Sequence, residues 1–274
     1  MNESTSETAS VTPAKSFQAE ALEVRVFRTS AELAAEAARI ARLHLQKVLA
    51  ETGAASVILA TGNSQIQFLH ALVALGGIEW ARVTLFHMDE YLGLDASHPA
   101  SFRRYMRERV ESRLKPKRFH YLEGESPLPL SECERYANLL SAQPIDLCCL
   151  GIGENGHLAF NDPPVADFND PHQVKLVKLD EACRRQQVGE GHFPNLDAVP
   201  QYAFTLTIPV LCSARRMLCI VPERRKAHAV KEALRGPVST ACPASFLRRQ
   251  AHCTLFLDGD SASGLEGGPQ QAGV

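Results

Sequence analysis

No stretch of the 274-residue chain approaches the run of about 18–20 apolar residues that a membrane helix needs. The first twenty residues, MNESTSETASVTPAKSFQAE, have neither a basic n-region nor an apolar h-region, so they do not read as a signal peptide. No charge of either sign dominates: 29 Lys and Arg against 31 Asp and Glu leave a net charge of −2. That balance excludes the basic domain expected of a nucleic-acid binder and the polybasic surface of a membrane-docking protein. From 215 to 249 the balance tips locally, with nine Lys or Arg against two acids, and the segment 102–118 is Arg-rich. No aromatic interleaving suggests stacked bases, so the cations read mostly as solvated helix faces. The eight cysteines form no CxxC and no Cys/His cluster, which excludes a structural zinc site of the usual spacing. Those at 148, 149 and 219 sit inside apolar runs and read as buried, reduced thiols of a cytoplasmic protein. A GxxxxGK[ST] phosphate loop is also missing.

Nor is there an internal linker, a long repeat or a low-complexity tract. Residues 1–17 read as a disordered lead and 261–274 as a flexible tail, which leaves one domain over 18–260. At 45% hydrophobic and 22% charged residues, a chain of this length can bury a sizeable core. Inside the domain, strand-like and helix-like segments alternate. LEVRVF (22–27) is followed by a Thr29/Glu32 capping box and a long helix to about Leu49. SVILA (56–60), RVTLFHM (82–88), IDLCCLGIG (145–153), VKLVKL (174–179), AFTLTI (203–208), RMLCIV (216–221) and CTLFLD (253–258) are further strand candidates. Ser131 and Glu134 read as a cap for the helix before 145, and helices are expected at 224–235 and around 243–249. The pattern predicts an α/β fold, a single domain with a mostly parallel, open, Rossmann-like sheet flanked by helices. Ligands of such sheets bind beyond the carboxyl ends of the strands, which singles out the segments opening at Thr61, Asp89, Gly151 and Pro222.

Gly151, Gly153 and Gly156 spell GxGxxG directly after a strand. A dinucleotide site needs a helix to start there, however, and Pro163, Pro164 and Pro171 follow among Asn and Asp residues. His157 in this glycine-rich loop is suited to proton transfer near neutral pH, with Asp162 as an orienting group. Asp89 and Glu90 are adjacent carboxylates at a strand end, so only one of them naturally faces a given pocket. Thr61, Gly62, Asn63 and Ser64 lie between a strand and a helix, where hydroxyls and free N–H groups can hold an anion. Arg224, Arg225 and Lys226 open a later helix, where cations oppose the helix dipole unless an anion is near.

HMDEYLGL (87–94), HPASF (98–102), GIGENGHLAFNDPP (151–164), VPQYAFTLTI (199–208) and GPVSTACPASFL (236–247) together resemble the glucosamine-6-phosphate deaminases. The wider family includes 6-phosphogluconolactonase, and the DEYLGL and NGH…AFNDP forms favour the deaminase branch. The resemblance implies conversion of glucosamine 6-phosphate and water to fructose 6-phosphate and ammonia by ring opening, enolisation and deamination, with no cofactor or metal. Alternatives are a sugar-phosphate lactonase or isomerase, and a non-catalytic sugar-phosphate sensor. By the same resemblance Asp89 is the enolisation base, and His157 the ring-opening acid/base, supported by Asn155 and Asp162. Thr61, Gly62, Asn63, Ser64, Glu90 and Lys226 are assigned to substrate binding, with Thr61 to Ser64 and Lys226 on the phosphate. His192 stands where the resemblance places a phosphate-contacting arginine, and Arg184 or Arg185 would have to stand in for it. The partner implied is a small-molecule sugar phosphate, not a nucleic acid or a membrane, with a homo-oligomer allowed.

Overall fold

A computed structural model describes residues 10–265. The strands are β1 (Lys15–Ala19), β2 (Leu22–Phe27), β3 (Ala55–Leu59), β4 (Val83–His87), β5 (Asp89–Tyr91), β6 (Arg118–His120), β7 (Leu147–Leu150), β8 (Val174–Lys178), β9 (Tyr202–Leu206), β10 (Arg216–Val221) and β11 (Cys253–Asp258). The helices are α1 (Ser30–Thr52), α2 (Ile66–Ala74), α3 (Phe102–Met106), α4 (Ser112–Leu114), α5 (Pro129–Ser141), α6 (Glu181–Gly189), α7 (Ile208–Cys212) and α8 (Ala227–Arg235). The segment Arg107–Glu111 joins α3 to α4 as a π turn. Among the described residues, no helix is long and apolar enough to cross a membrane.

Eight strands form one sheet in the order β1-β2-β11-β10-β7-β3-β4-β6. Every neighbouring pair is parallel except β1 with β2. The central strands read as continuous apolar runs because both faces are covered. Val57, Leu59, Leu147, Cys149, Leu218 and Ile220 face one apolar layer, which α1 and α2 complete with Leu33, Leu45, Phe68 and Leu72. Their neighbours Ile58, Cys148, Leu150, Met217 and Cys219 face the other layer, with Tyr136 of α5 and Val230 and Leu234 of α8. The period of two along a strand thus places Cys148 and Cys149 in different cores. All eight cysteines are unpaired thiols.

The expected capping box forms in part. Glu32 N donates to Thr29 Oγ1 at 3.1 Å, while the Glu32 carboxylate accepts from Arg28 N at 3.0 Å, one residue earlier than the usual partner. Helix α1 runs three residues past Leu49 and stops at Gly53, which takes the left-handed conformation. The Ser131/Glu134 cap does not form. Pro129 occupies the first turn of α5, where its missing N–H costs nothing, so the helix opens two residues earlier than Ser131.

Two expectations at the termini are corrected. The lead predicted over 1–17 contains Lys15–Ala19, which hairpins antiparallel onto β2, with Phe17 against the core. Four of its five positions are polar or small, so the edge strand carries little apolar signal. The tail predicted from 261 is ordered to Leu265. Ser261 is buried, its N donates to Asp258 Oδ1 at 2.8 Å, and a 3-10 turn spans Ser263–Leu265. Residues 1–9 and 266–274, to which the same two expectations extended, lie outside the described residues.

The strands predicted at 174–179 and 203–208 exist but leave the main sheet. They form a second, antiparallel sheet in the order β5-β9-β8, in which Asp89 pairs with Thr205 and Val174 with Leu206. A parallel return needs a crossover, usually helical. The Pro-, Asn- and Asp-rich segment 161–171 is turn rather than helix, so the chain lays β8 and β9 side by side instead. Only Met88 separates the end of β4 in one sheet from the start of β5 in the other.

Candidate active site

The carboxyl ends of β3, β4 and β7 open onto one cleft of about 520 Å³, counted out to its mouth. Thr61, Gly62, Ser64, Met88, Asp89, Gly151, Gly153 and His157 line it. An apolar wall comes from Phe102 and Phe160, stacked with centroids 5.8 Å apart and both packed on Tyr91.

The anion loop forms as expected. Gly62, at φ 98°, precedes a 3-10 turn at Asn63–Gln65 that runs into α2, and Tyr105 Oη holds the turn by donating to Gly62 O at 3.0 Å. First-turn N–H groups of a helix lack intrahelical acceptors and can take an anion. Asn63 departs from the expectation. It does not line the cleft, and its amide donates to Glu190 O at 3.2 Å.

Asp89 and Glu90 alternate along β5 and have separate surroundings. Asp89 is buried where it lines the cleft, and its Oδ1 has no hydrogen-bond partner among the described residues. Burial, and then the neighbouring Glu90 charge, push the Asp89 carboxyl well above the usual carboxylate range. Glu90, expected to bind substrate, does not line the cleft. It points away from the cleft, fully buried, and accepts from Ser101 Oγ, Phe102 N and Arg103 N at 2.8, 3.2 and 3.0 Å. It therefore caps α3 and pairs with Arg103 Nε at 3.4 Å. Burial raises Glu90 too, but these hydrogen bonds pull against the rise, and Asp89 has no such compensation. Next to them, His87 is pushed down to about 3 by burial and by Arg103, and its neutral Nε2 accepts from Leu122 N at 2.8 Å.

His157 is held by the residues expected to support it. Its Nδ1 lies 2.7 Å from Asn155 Oδ1 and 2.9 Å from Asp162 Oδ1. Both are acceptors, so the hydrogen sits on Nδ1 and Nε2 is left with a free lone pair for the cleft. Asn155 Nδ2 donates to Asp162 Oδ1 at 3.0 Å, and Asp180 N donates to Asp162 Oδ2 at 3.2 Å. Burial would raise Asp162, but the hydrogen bonds and charge of His157 bring its carboxyl below the ordinary range. The amide at 155 therefore does not deprive His157 of a carboxylate, because Asp162 reaches the ring directly. Gly153 is required by this arrangement, since a Cβ there would stand 2.1 Å from the ring. Cys183 joins the same cluster: His157, Asp162 and Cys183 offer potential metal-ligand atoms within 4.8 Å of one another. Burial keeps the Cys183 thiol protonated and hydrogen-bonded to Asp162, so the three form a hydrogen-bonded train rather than a thiolate site.

Lys226, expected on the phosphate, is 3% exposed and does not line the cleft. Burial lowers its ammonium, and the charge of Glu190 opposes that. Neither proposed stand-in arginine turns inward. Arg184 donates to Leu196 O and Val199 O at 2.6 and 3.0 Å, and Arg185 pairs with Glu181 on the helix surface. His192 pairs with Glu190 at 3.3 Å. Two cleft residues escaped the sequence reading: Gln187, whose Oε1 accepts from Tyr91 Oη at 2.7 Å, and Glu190. Both sit in CRRQQVGEGHF, where no motif of chemistry stands out, and a carboxylate is the last group expected beside an anion loop.

The family model for glucosamine-6-phosphate isomerases/6-phosphogluconolactonase matches residues 28–256. The chain belongs to this family. Two curated relatives named glucosamine-6-phosphate deaminase come from Listeria monocytogenes and Bacillus thuringiensis. The Listeria protein is 34% identical over 205 residues, covering 75% of this chain and 85% of the relative. The Bacillus protein is 35% identical over 205 residues, covering 75% and 76%. A solved structure of a monomeric glucosamine-6-phosphate deaminase superposes with a TM-score of 0.81 at 31% identity, over 88% of this chain and 99% of that one. A 6-phosphogluconolactonase from Shewanella baltica shares the fold at a TM-score of 0.72 and 19% identity, over 86% and 97%. In this isomerase/lactonase fold, Asp89, His157 and the Thr61–Ser64 loop all gather at the strand ends of one chain.

Proposed function

We propose that this chain is a glucosamine-6-phosphate deaminase, converting glucosamine 6-phosphate and water to fructose 6-phosphate and ammonia. The observation that carries this reading is the pair lining one cleft, a buried, protonatable Asp89 and the His157 imidazole, whose Nδ1 is supported by Asp162. The relatives named for this activity support it.

The steps follow from the groups present. The Thr61–Ser64 loop takes the 6-phosphate. His157 Nε2 removes the anomeric hydroxyl proton and returns a proton to the ring oxygen, opening the hemiacetal, while the Asp162 carboxylate stabilises the transient imidazolium. Asp89, ionised, takes the C2 proton of the open aldehyde while a proton passes from the substrate's own amine nitrogen to O1, giving an enolamine. It returns that proton to C1, giving the C2 imine. Water adds to the imine carbon and ammonia leaves, which yields the ketose. An aspartate with a raised pKa suits this transfer, because it binds the proton strongly enough to carry it from C2 to C1.

A coupled ammonia assay over a panel of amino-sugar phosphates tests the reading. Ammonia and fructose 6-phosphate should appear in equal amounts from glucosamine 6-phosphate. No ammonia from mildly acidic to mildly alkaline pH would reject the deaminase, and hydrolysis of 6-phosphogluconolactone in its place would establish a lactonase.

A further inference from the structure

Glu190 is an acidic side chain where the substrate's anion should be welcome. It lines the cleft alongside Thr61, Gly62 and Ser64, and it is the hub of a cluster of positive charge whose members do not themselves line the cleft. Its Oε1 accepts from Arg225 Nη1 at 2.5 Å and from Gln186 Nε2 at 2.8 Å, and its Oε2 lies 3.3 Å from His192 Nε2. The buried Lys226 is coupled to the same charge. Burial alone would raise the Glu190 carboxyl, but His192 and Arg225 hold it far below the ordinary range, so it is an anion at any working pH. These are the partners a phosphate monoester would take: a guanidinium, an imidazole, an amide and a nearby ammonium. Every one is already directed at a carboxylate.

Glycines flank Glu190 on both sides, while its own N donates to Gln186 O at 2.8 Å and its O accepts from Asn63 Nδ2 at 3.2 Å. Helix α6 ends at Gly189, and Gly191 has φ +80°, with open space around both glycines. Arg225 would not be orphaned by its departure, because it also pairs with Glu223 and with Glu154 at 2.5 and 3.2 Å.

We propose that Glu190 is a resident anion that fills the cation cluster at the phosphate end of the cleft, and that the substrate's phosphate binds by displacing it on the Gly189–Gly191 turn. This deepens the sugar-phosphate reading above and rests on it. Glu190 is then a specificity-determining residue. It keeps the cluster assembled without ligand, and it favours a dianion, which can outcompete one carboxylate, over a singly charged sugar acid.

Calorimetric titration with inorganic phosphate tests this without requiring turnover. Glu190→Gln should bind phosphate at least threefold tighter than wild type, and KM for glucosamine 6-phosphate should fall more than kcat changes. Glu190→Asp, which keeps the charge, should bind phosphate within twofold of wild type. Equal shifts in the Gln and Asp variants, or no shift in either, would overturn the proposal. In the unaltered protein, saturating phosphate should change hydrogen exchange across residues 187–192, and unchanged exchange there would also overturn it. If phosphate affinity shifts as expected and no ammonia is ever released, the resident anion stands and the deaminase falls. Ammonia release with unshifted affinity gives the reverse.

Discussion

At Asp89 the folded protein favours the neutral carboxyl, because the charged form is desolvated and sits next to Glu90. The contribution of that neutral form to stability is full below the unfolded pKa of about 3.9 and is lost as pH rises through the higher folded value. Asp89→Asn should therefore melt above wild type by a margin that grows from acidic to neutral pH, which a series of thermal melts would show. The same substitution removes the proposed base and should lower kcat by about 10²- to 10⁴-fold with little change in phosphate binding. In the wild type, turnover should climb with pH through the raised Asp89 pKa, since only the carboxylate can take the C2 proton. Glu90 belongs to the fold rather than the chemistry. Glu90→Gln weakens charge-assisted hydrogen bonds at the start of α3 and should cost about 1.5–3 kcal/mol in urea denaturation. Asp89, His157, Asn155 and Asp162 could be named from the sequence because a strand end and a glycine-rich loop mark them. Which way each carboxylate faced could not. That depended on β5 pairing with β9, 116 positions away by the Asp89–Thr205 register, a contact no local pattern announces.

At the scale of elements, the main sheet was legible because two-sided burial writes unbroken apolar runs at β3, β7 and β10. The elements that were missed lack that mark. β1 is a polar edge strand and β5 is three residues long, and β8 and β9 look the same in sequence whether they pair parallel or antiparallel. No helix opens at the glycines after β7, in keeping with the prolines that follow them. These GxGxxG glycines serve another need, as Gly153 makes room for the His157 ring. Gly153→Ala should therefore fold and yet lose most turnover, with a loss comparable to His157→Ala when both are measured as kcat. A Gly153→Ala variant with wild-type kcat would show that the ring does not work from this position.

For the whole molecule, one chain supplies the proposed anion loop, the base and the supported imidazole. Activity per chain should accordingly stay constant through a dilution series followed in parallel by sedimentation, whatever the state of assembly. Activity that fell as chains separated would show that a neighbour completes the site. The local excess of cations at 215–249, unremarkable beside a net charge of −2, is partly internal: Lys226 and Arg248 are buried, and Arg225 is tied to three carboxylates.

The passage of the chain through Met88, from one sheet to the other, also divides the labour of the cleft. Asp89 is part of the small sheet, and the end of the His157 loop is pinned to that sheet, where Phe160 N donates to Thr205 Oγ1 at 3.0 Å and Asn161 Nδ2 to Leu206 O at 2.8 Å. The Thr61–Ser64 loop follows β3 of the large sheet. On the proposed reading, a sugar phosphate bound in this cleft would be a strut between two plates, gripped by its tail on one and worked on at its head by the other. The machinery at the head travels as a unit, so a tilt of one plate against the other would change the length of sugar that fits before it disturbed the acid and base.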